Sequence, residues 1–332
     1  MDVLVGTAHG VFRISHGTQV QVNTCRSVRD IQAVDDALFA GSAAGVHRSR
    51  DGGGTWALCG LADHQVWQIR AAPDGTLHAV TQPAGLFRST DGGDSWSEIE
   101  SLTAVPGAET WCVPIDPPLP GRARALVIDP ADPRRLWVGV EVGGIVRSVD
   151  GGQTWQLVRP GGNPDIHVIV ARPDCADELY VSTGYGRPDG IAPMVEGNAG
   201  MFRSTDGGAH WAYVWAGMTP RYTRPLCIDP RAPHPLTVAC APSAFSACTD
   251  AGGAGAMLFR SDDRGAHWHS LCDAAHSPSA ANFHGLAPAG DACGSVLVGT
   301  DTGELWHVSA SGEWSRLADG LPAVLAVLDC AR

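Results

Sequence analysis

Residues that carry or can carry positive charge recur at one level of a repeating pattern. Pro130, Pro173 and Pro230 each stand nine residues before the end of a short apolar run, at Gly139, Ser182 and Ala239, and Gly290 stands at the same distance from Gly299. Six positions upstream of these markers lie Arg124, His167, Arg224 and His284, and two shorter units place Arg29 and Trp67 near the same level. Guanidinium groups that converge repel one another unless an anion or an acidic side chain lies between them, so a carboxylate or phosphate is the ligand this set invites. Arg122, Arg221 and Tyr222 sit just beside these positions, and Trp67 offers a stacking surface. Two other readings stay open. The same groups can satisfy backbone carbonyls and carboxylates such as Asp165, Glu109 and Glu196. Alternatively, His167 and His284, joined by His64, can hold a metal, although they lack a ligand-spacing signature.

What would position these side chains is a repeat. The phrase Ser49-Arg-Asp51-Gly-Gly-Gly-Thr55-Trp56 returns as Ser89…Asp91…Ser95-Trp96, Ser148…Asp150…Thr154-Trp155, Ser204…Asp206…His210-Trp211 and Ser261…Asp263…His267-Trp268. A worn copy, Ser309-Ala-Ser311-Gly-Glu-Trp314, has lost the Asp. Before each copy come a short apolar strand (LFAGS, LHAVT, LWVGV, LYVST, LTVAC, VLVGT) and a second strand (GVHRS, GLFRS, GIVRS, GMFRS, MLFRS, ELWHV); the Trp opens a third, and a further strand lies upstream. Residues VLVGTAHGVFRI at the N-terminus match the middle strands of another unit whose hairpin lacks the phrase. Seven units of about 47 residues, each of four strands (A to D from the inside), predict an all-β, seven-bladed propeller spanning 1–332 as one domain. The first unit lacks its inner strand, and the chain ends in the apolar run Ala323–Asp329. Blade 1 is therefore expected to be shared between 1–23 and 321–330, closing the ring and removing free sheet edges.

The repeated phrase resembles the Asp box, or BNR repeat, of sialidase-like propellers, sortilin-type receptors, xyloglucan-cleaving glycosidases and photosystem II assembly propellers. The resemblance covers nearly the whole chain and implies a blade rather than an activity. The Asp and the hydroxyls are read as acceptors for turn amides, the glycines as suppliers of positive φ, and the Trp as packing between blades. Asp51, Asp91, Asp150, Asp206 and Asp263 are structural on this reading. Sialidases carry six blades, an Arg-Ile-Pro motif and a Tyr/Glu nucleophilic pair, whereas this chain has seven units and no Arg-Ile-Pro. What survives of that comparison is the arginine cluster and Tyr222, a candidate nucleophile if Glu109 or Glu196 serves as its base. The xyloglucan-cleaving enzymes match in blade number but use two propellers facing a cleft.

In this topology the A–B and C–D turns share one face, leaving the D–A and B–C connections to build a site on the other. Three of these are long: 100–124, 183–200 and 240–257. Long loops on a rigid scaffold are commonly lids or binding walls. All 23 basic residues are Arg, so lysine Schiff-base chemistry is excluded. A net charge of −12 argues against nucleic acid or an anionic membrane as a partner of the whole surface, and no run approaches a membrane span. Ten Cys without a CxxC pair, and an N-terminus without leader character, suggest reduced thiols in the cytoplasm. The sequence thus predicts a stand-alone propeller, with no cofactor, that binds a small anionic molecule or protein segment. The alternative is a glycoside hydrolase-like or lyase-type enzyme acting in the same funnel.

Overall fold

The computed structural model describes residues 1–184 and 196–330. Seven four-stranded antiparallel sheets form the blades of a propeller. The inner strands are Val324–Asp329 (blade 1), Asp30–Val34 (2), Gln65–Ala71 (3), Arg122–Ile128 (4), Ile166–Arg172 (5), Tyr222–Ile228 (6) and Phe283–Pro288 (7). The chain ends close the ring as expected: Val324–Asp329 pairs antiparallel with Asp2–Thr7, with Val3 opposite Asp329 and Val5 opposite Val327. Apolar residues of strands A to C fill the seams between adjacent blades. One such seam joins Ala125, Trp137 and Ile145 of blade 4 to Ile166, Ile169 and Phe202 of blade 5.

The repeated phrase forms the same C–D turn each time. In blade 4, Ser148 Oγ donates to Asp150 Oδ1 (2.7 Å), and that oxygen also accepts from the Thr154 amide (2.9 Å). The Thr154 hydroxyl donates to Oδ2 (2.6 Å), while the Gly152 amide donates to Ser148 Oγ (2.9 Å). Both oxygens of the Asp carboxylate are thus committed to hydrogen bonds within its own turn. In blades 5 and 6 an imidazole replaces the hydroxyl, with His210 Nδ1 and His267 Nδ1 each 2.6 Å from the Asp. Where the Asp is missing, Ser311 Oγ takes its place 2.9 Å from Ser309 Oγ. The Trp side chains pin blade to blade: the indole N–H of Trp96 donates to Cys59 O (3.1 Å) and that of Trp268 to Val214 O (2.7 Å).

A second stitch escaped the sequence reading. The arginine before the Ser of strand C reaches the turn of the next blade: Arg48 donates to Gly92 O (2.6 Å) and Arg147 to Gly207 O (3.2 Å). Trp137 donates to that same Gly207 oxygen (2.8 Å), which needs the backbone of Gly207 and Gly208 at φ 68° and 82°.

One irregularity of the inner strands governs the site. Six of the seven A strands carry a β-bulge near one end, where residues are left without an opposite number on the neighbouring strand, while blade 2 pairs regularly from Asp30 to Val34. The skipped residues are Trp67, between the pairs Val66–Thr81 and Gln68–Val80, and Arg124, between Ala123–Val140 and Ala125–Gly139. His167, His284 and Leu325 are skipped in the same way in blades 5, 7 and 1. In blade 6 Arg224 and Pro225 share the irregular step, and in blade 2 Arg29 donates its amide to Gly41 O although Asp30 is the residue paired with Gly41. A bulge re-aims its side chain and reverses the alternation that follows. Simple alternation would turn Ile169 and Ala171 to the channel after His167. Instead Val168 and Val170 line it, and Ile169, 2% exposed, lies in the seam between blades.

Segment 100–121 folds as two 3-10 turns and a small hairpin pairing Cys112–Val113 with Leu119–Pro120, and near its start Ser101 Oγ donates to the Gly152 carbonyl of the blade 4 turn. The blade 6 connection carries the short helix Ser246–Thr249. Of the long segment 183–200, residues 185–195 lie outside the described residues.

Candidate functional site

Six bulges, and the residue just before the inner strand of blade 2, bring one side chain per blade to the axis: Leu325, Arg29, Trp67, Arg124, His167, Arg224 and His284 in blade order. All of them line one cavity of about 340 Å³. Deeper in the channel the wall is mixed, with Ile31, Val168, Val170 and Leu286 beside Gln68, Asp30 and Arg70. Asp30 is fully engaged there, accepting from the Ile69 amide (2.7 Å) and pairing with Arg70 (3.0 Å). The six polar and aromatic positions expected to share a level therefore do so.

Trp67 does not act as an open stacking surface. Its ring is 6% exposed and is surrounded by three guanidiniums, with the Cζ of Arg29 at 4.1 Å and those of Arg122 and Arg124 at 4.9 Å from the centroid. Such contacts hold cations over an indole face, so Trp67 gathers arginines rather than a ligand ring. Arg124 and Arg122 both pair with Glu141, at 2.8 and 3.3 Å to the same oxygen. Glu141 ends strand B of blade 4, opposite Arg122, and was not among the carboxylates expected from sequence.

The remaining charge is not balanced. Among the described residues Arg29 makes no ion pair, and its Nε has no hydrogen-bond partner. Its pKa is pushed down to about 10, first by burial and then by the charges of Arg124 and Arg122, with Glu141 acting in the opposite sense. It remains a cation at neutral pH. Arg224 donates to the Ala244 carbonyl (2.9 Å), which tethers it beneath the blade 6 connection but leaves its charge without a paired carboxylate among the described residues. His284 feels all three approaching cations: burial, then Arg224, Arg29 and Arg124, push its pKa down to about 3. It is a neutral imidazole at physiological pH and offers the funnel an N–H or a lone pair.

His167 stands apart from the other ring members in being fully buried. Its Nδ1 hydrogen-bonds the Thr223 carbonyl, and its Nε2 lies 3.3 Å from Asp165 Oδ1. Tyr222 packs edge-on against that imidazole (4.9 Å) beneath Arg224, whose Cζ is 5.1 Å from the phenol ring. The phenol is 7% exposed, and burial, followed by the charge of Asp165, pushes its pKa up. Both effects oppose formation of the phenolate that a nucleophile requires. The carboxylates expected to assist it are elsewhere engaged or remote. Glu196 accepts from the Gly217 amide (2.9 Å) and pairs with Arg221 (3.4 Å), while Glu109 is exposed on the 3-10 turn Ala108–Thr110. Arg221 is thereby drawn to the loops, and Arg122 and Tyr222 form a layer behind the cavity wall rather than part of it.

The three histidines read as a metal set do not assemble into one. His64 packs against Phe87 (4.8 Å), and the combination of groups close enough to hold an ion, among the described residues, is Glu141, Asp165 and His167. Glu141 there is already shared by two guanidiniums.

No family model matches the chain. Over 132 residues, 34% of the chain, it is 31% identical to the xyloglucanase Xgh74A of Acetivibrio thermocellus, covering 16% of that protein. Among solved structures, the GH74 xyloglucanase from Xanthomonas campestris matches with a TM-score of 0.71 at 20% identity, over 96% of this chain and 52% of that one. The Niastella koreensis GH74 enzyme gives 0.64 at 14% identity, over 94% and 46%. YCF48 bound to D1 peptide gives 0.56 at 19%, over 87% and 80%. The chain spans well under two thirds of the length of the xyloglucanases it matches, and at these identities the structural likeness establishes the seven-bladed propeller fold.

Proposed function

We propose that this propeller, a member of the Asp-box type, binds the anionic group of a small molecule or of a protein segment in the funnel on the face away from its repeated turns. The observation that carries the reading is the charge balance at the bulge ring. Arg29, Arg124 and Arg224 approach one cavity, Arg122 stands behind them, and Glu141 is the one carboxylate ion-paired to this set among the described residues. Half-buried guanidiniums without partners cost free energy in the empty protein, and an incoming anion recovers it. A volume of about 340 Å³ lies at the small end of ligand sites, roughly 300–1,000 Å³, and suits one compact group better than a polymer.

The alternative is a glycoside hydrolase-like activity, which draws support from the xyloglucanases among the relatives. Glycoside hydrolysis uses two carboxylates flanking a bond. Glu141 and Asp165 are close neighbours, but both are buried, at 8% and 4% exposure, and neither lines the cavity. Binding is therefore the stronger reading.

Thermal unfolding with a panel of carboxylates, phosphates and neutral oligosaccharides tests it. Anions are expected to raise the midpoint of the parent but not of Arg224→Ala, with neutral sugars inert. Equal stabilisation of parent and Arg224→Ala would refute the funnel as the site. Turnover of a glycoside by the parent that Tyr222→Phe abolishes would favour the hydrolase.

A further inference from the structure

The ring arginines are not randomly distributed around the axis. Arg29, Arg124 and Arg224 belong to blades 2, 4 and 6, separated by Trp67 of blade 3 and His167 of blade 5, with His284 and Leu325 of blades 7 and 1 completing the circle. Cations on alternate blades approach the axis from three well-spread directions. Each guanidinium is planar with five N–H donors. Arg124 spends one terminal nitrogen on Glu141 and Arg224 one on the Ala244 carbonyl, so the other N–H groups are the ones left to meet a ligand's oxygens. A single carboxylate has two oxygens in one plane and one negative charge, so it can satisfy one guanidinium from one side but not three around a circle. A tetrahedral phosphoryl group presents three terminal oxygens around its ester bond, and carries a charge of about −1.5 to −2 at neutral pH.

From this geometry we infer that the ligand of the funnel is a small phosphomonoester, its three terminal oxygens shared among Arg29, Arg124 and Arg224 and its ester oxygen directed along the axis. The inference rests on the anion-binding reading above and narrows it to one chemical class. Neutral His284 fits the same role, because an uncharged imidazole N–H can donate to a phosphoryl oxygen without adding to the repulsion in the empty ring. The arginine deeper in the channel serves as an internal contrast: Arg70 lines the same cavity but is neutralised by Asp30 at 3.0 Å.

Calorimetric titration of the intact chain with methyl phosphate, inorganic phosphate, methyl sulfate and acetate tests the assignment. The esters distinguish charge from shape, since methyl sulfate is tetrahedral but singly charged. Methyl phosphate and phosphate are expected to bind at one site per chain, with acetate and methyl sulfate at least tenfold weaker. Arg29→Gln, Arg124→Gln and Arg224→Gln should each weaken methyl phosphate tenfold or more, Arg224→Lys less than Arg224→Gln, and Arg70→Gln less than threefold. Circular dichroism and the unfolding midpoint of each variant separate lost binding from lost folding, and Arg224→Lys keeps the test open if a glutamine variant fails to fold. Acetate or methyl sulfate binding as tightly as methyl phosphate overturns the phosphoryl assignment while leaving the anion site in place. If none of the four binds, both readings fall.

Discussion

The repeated turns and the bulge ring occupy opposite ends of the same blades and follow opposite rules. At the turns, nearly the same residues recur from blade to blade, and every Asp carboxylate is committed to hydrogen bonds inside its own turn. At the ring, the bulge recurs in all blades but blade 2 while the residues do not: an aliphatic side chain, three arginines, an indole and two imidazoles occupy equivalent places. A side chain that serves each blade's own folding is expected in every blade. One that serves a common axis needs to occur once. The contrast separates what holds the propeller together from what it can do, and it explains why five acidic residues in a conspicuous motif are the wrong place to look for chemistry.

The comparison can be broken from either side. The largest effect is expected for Glu141→Gln, which strands Arg122 and Arg124 half-buried; loss of one partner from such a pair costs about 3 kcal/mol in stability. Denaturant unfolding measures it, and the same variant should bind anions more tightly, because the ring then holds one more unbalanced positive charge. Next is Trp155→Ala in a repeated turn. Its half-buried indole donates to Ser101 Oγ (3.1 Å), and truncation should cost roughly 2–3 kcal/mol without altering anion affinity. At the ring the sign reverses: Arg29→Met removes an unpaired guanidinium and should raise the stability of the free protein by about 1 kcal/mol while weakening anion binding. A smaller gain is expected at Arg264, which stands at φ 63° where the other turns have Gly; Arg264→Gly should stabilise by roughly 0.5–1 kcal/mol.

Acid provides a further separation of the two regions. Asp150, bonded by the Thr154 hydroxyl and amide and then by Ser148, has its pKa lowered from 3.8 to about 2. A carboxylate with a depressed folded-state pKa stabilises the native protein above its unfolded pKa, and that contribution is lost as pH falls towards the folded value. Asp51, Asp91, Asp206 and Asp263 are shifted in the same direction. The unfolding midpoint should therefore drop between about pH 4 and pH 2. Because these side chains are exposed, the drop measured for Asp150→Asn against the parent should be modest.

The fold was legible because its signal is multiplied: a turn of fixed composition, two short apolar strands before it, and an unpartnered strand at the chain end each point to the same ring. The level of the ring was legible too, since Pro130, Pro173 and Pro230 mark a common register. What sequence reasoning missed is relational. A bulge is a property of two strands compared, so no single strand discloses that Ile169 turns away from the channel and Val168 towards it. Glu141 lies 17 positions from Arg124 and meets it only because strand B returns beside strand A. An acidic residue closing the otherwise apolar run LWVGVE was the available clue. Trp67 was correctly placed but misjudged, because its aromatic face was already occupied by the arginines next to it.

The account depends most on the claim that ring arginines, and not arginines in general, create the anion site. Methyl phosphate affinity in Arg224→Gln, at the ring, measured against Arg147→Gln, in strand C where the side chain bonds Gln156 and Gly207, puts that claim directly at risk. The account predicts a loss of tenfold or more in Arg224→Gln and an affinity within twofold of the parent in Arg147→Gln. Equal affinity in the two variants would contradict it.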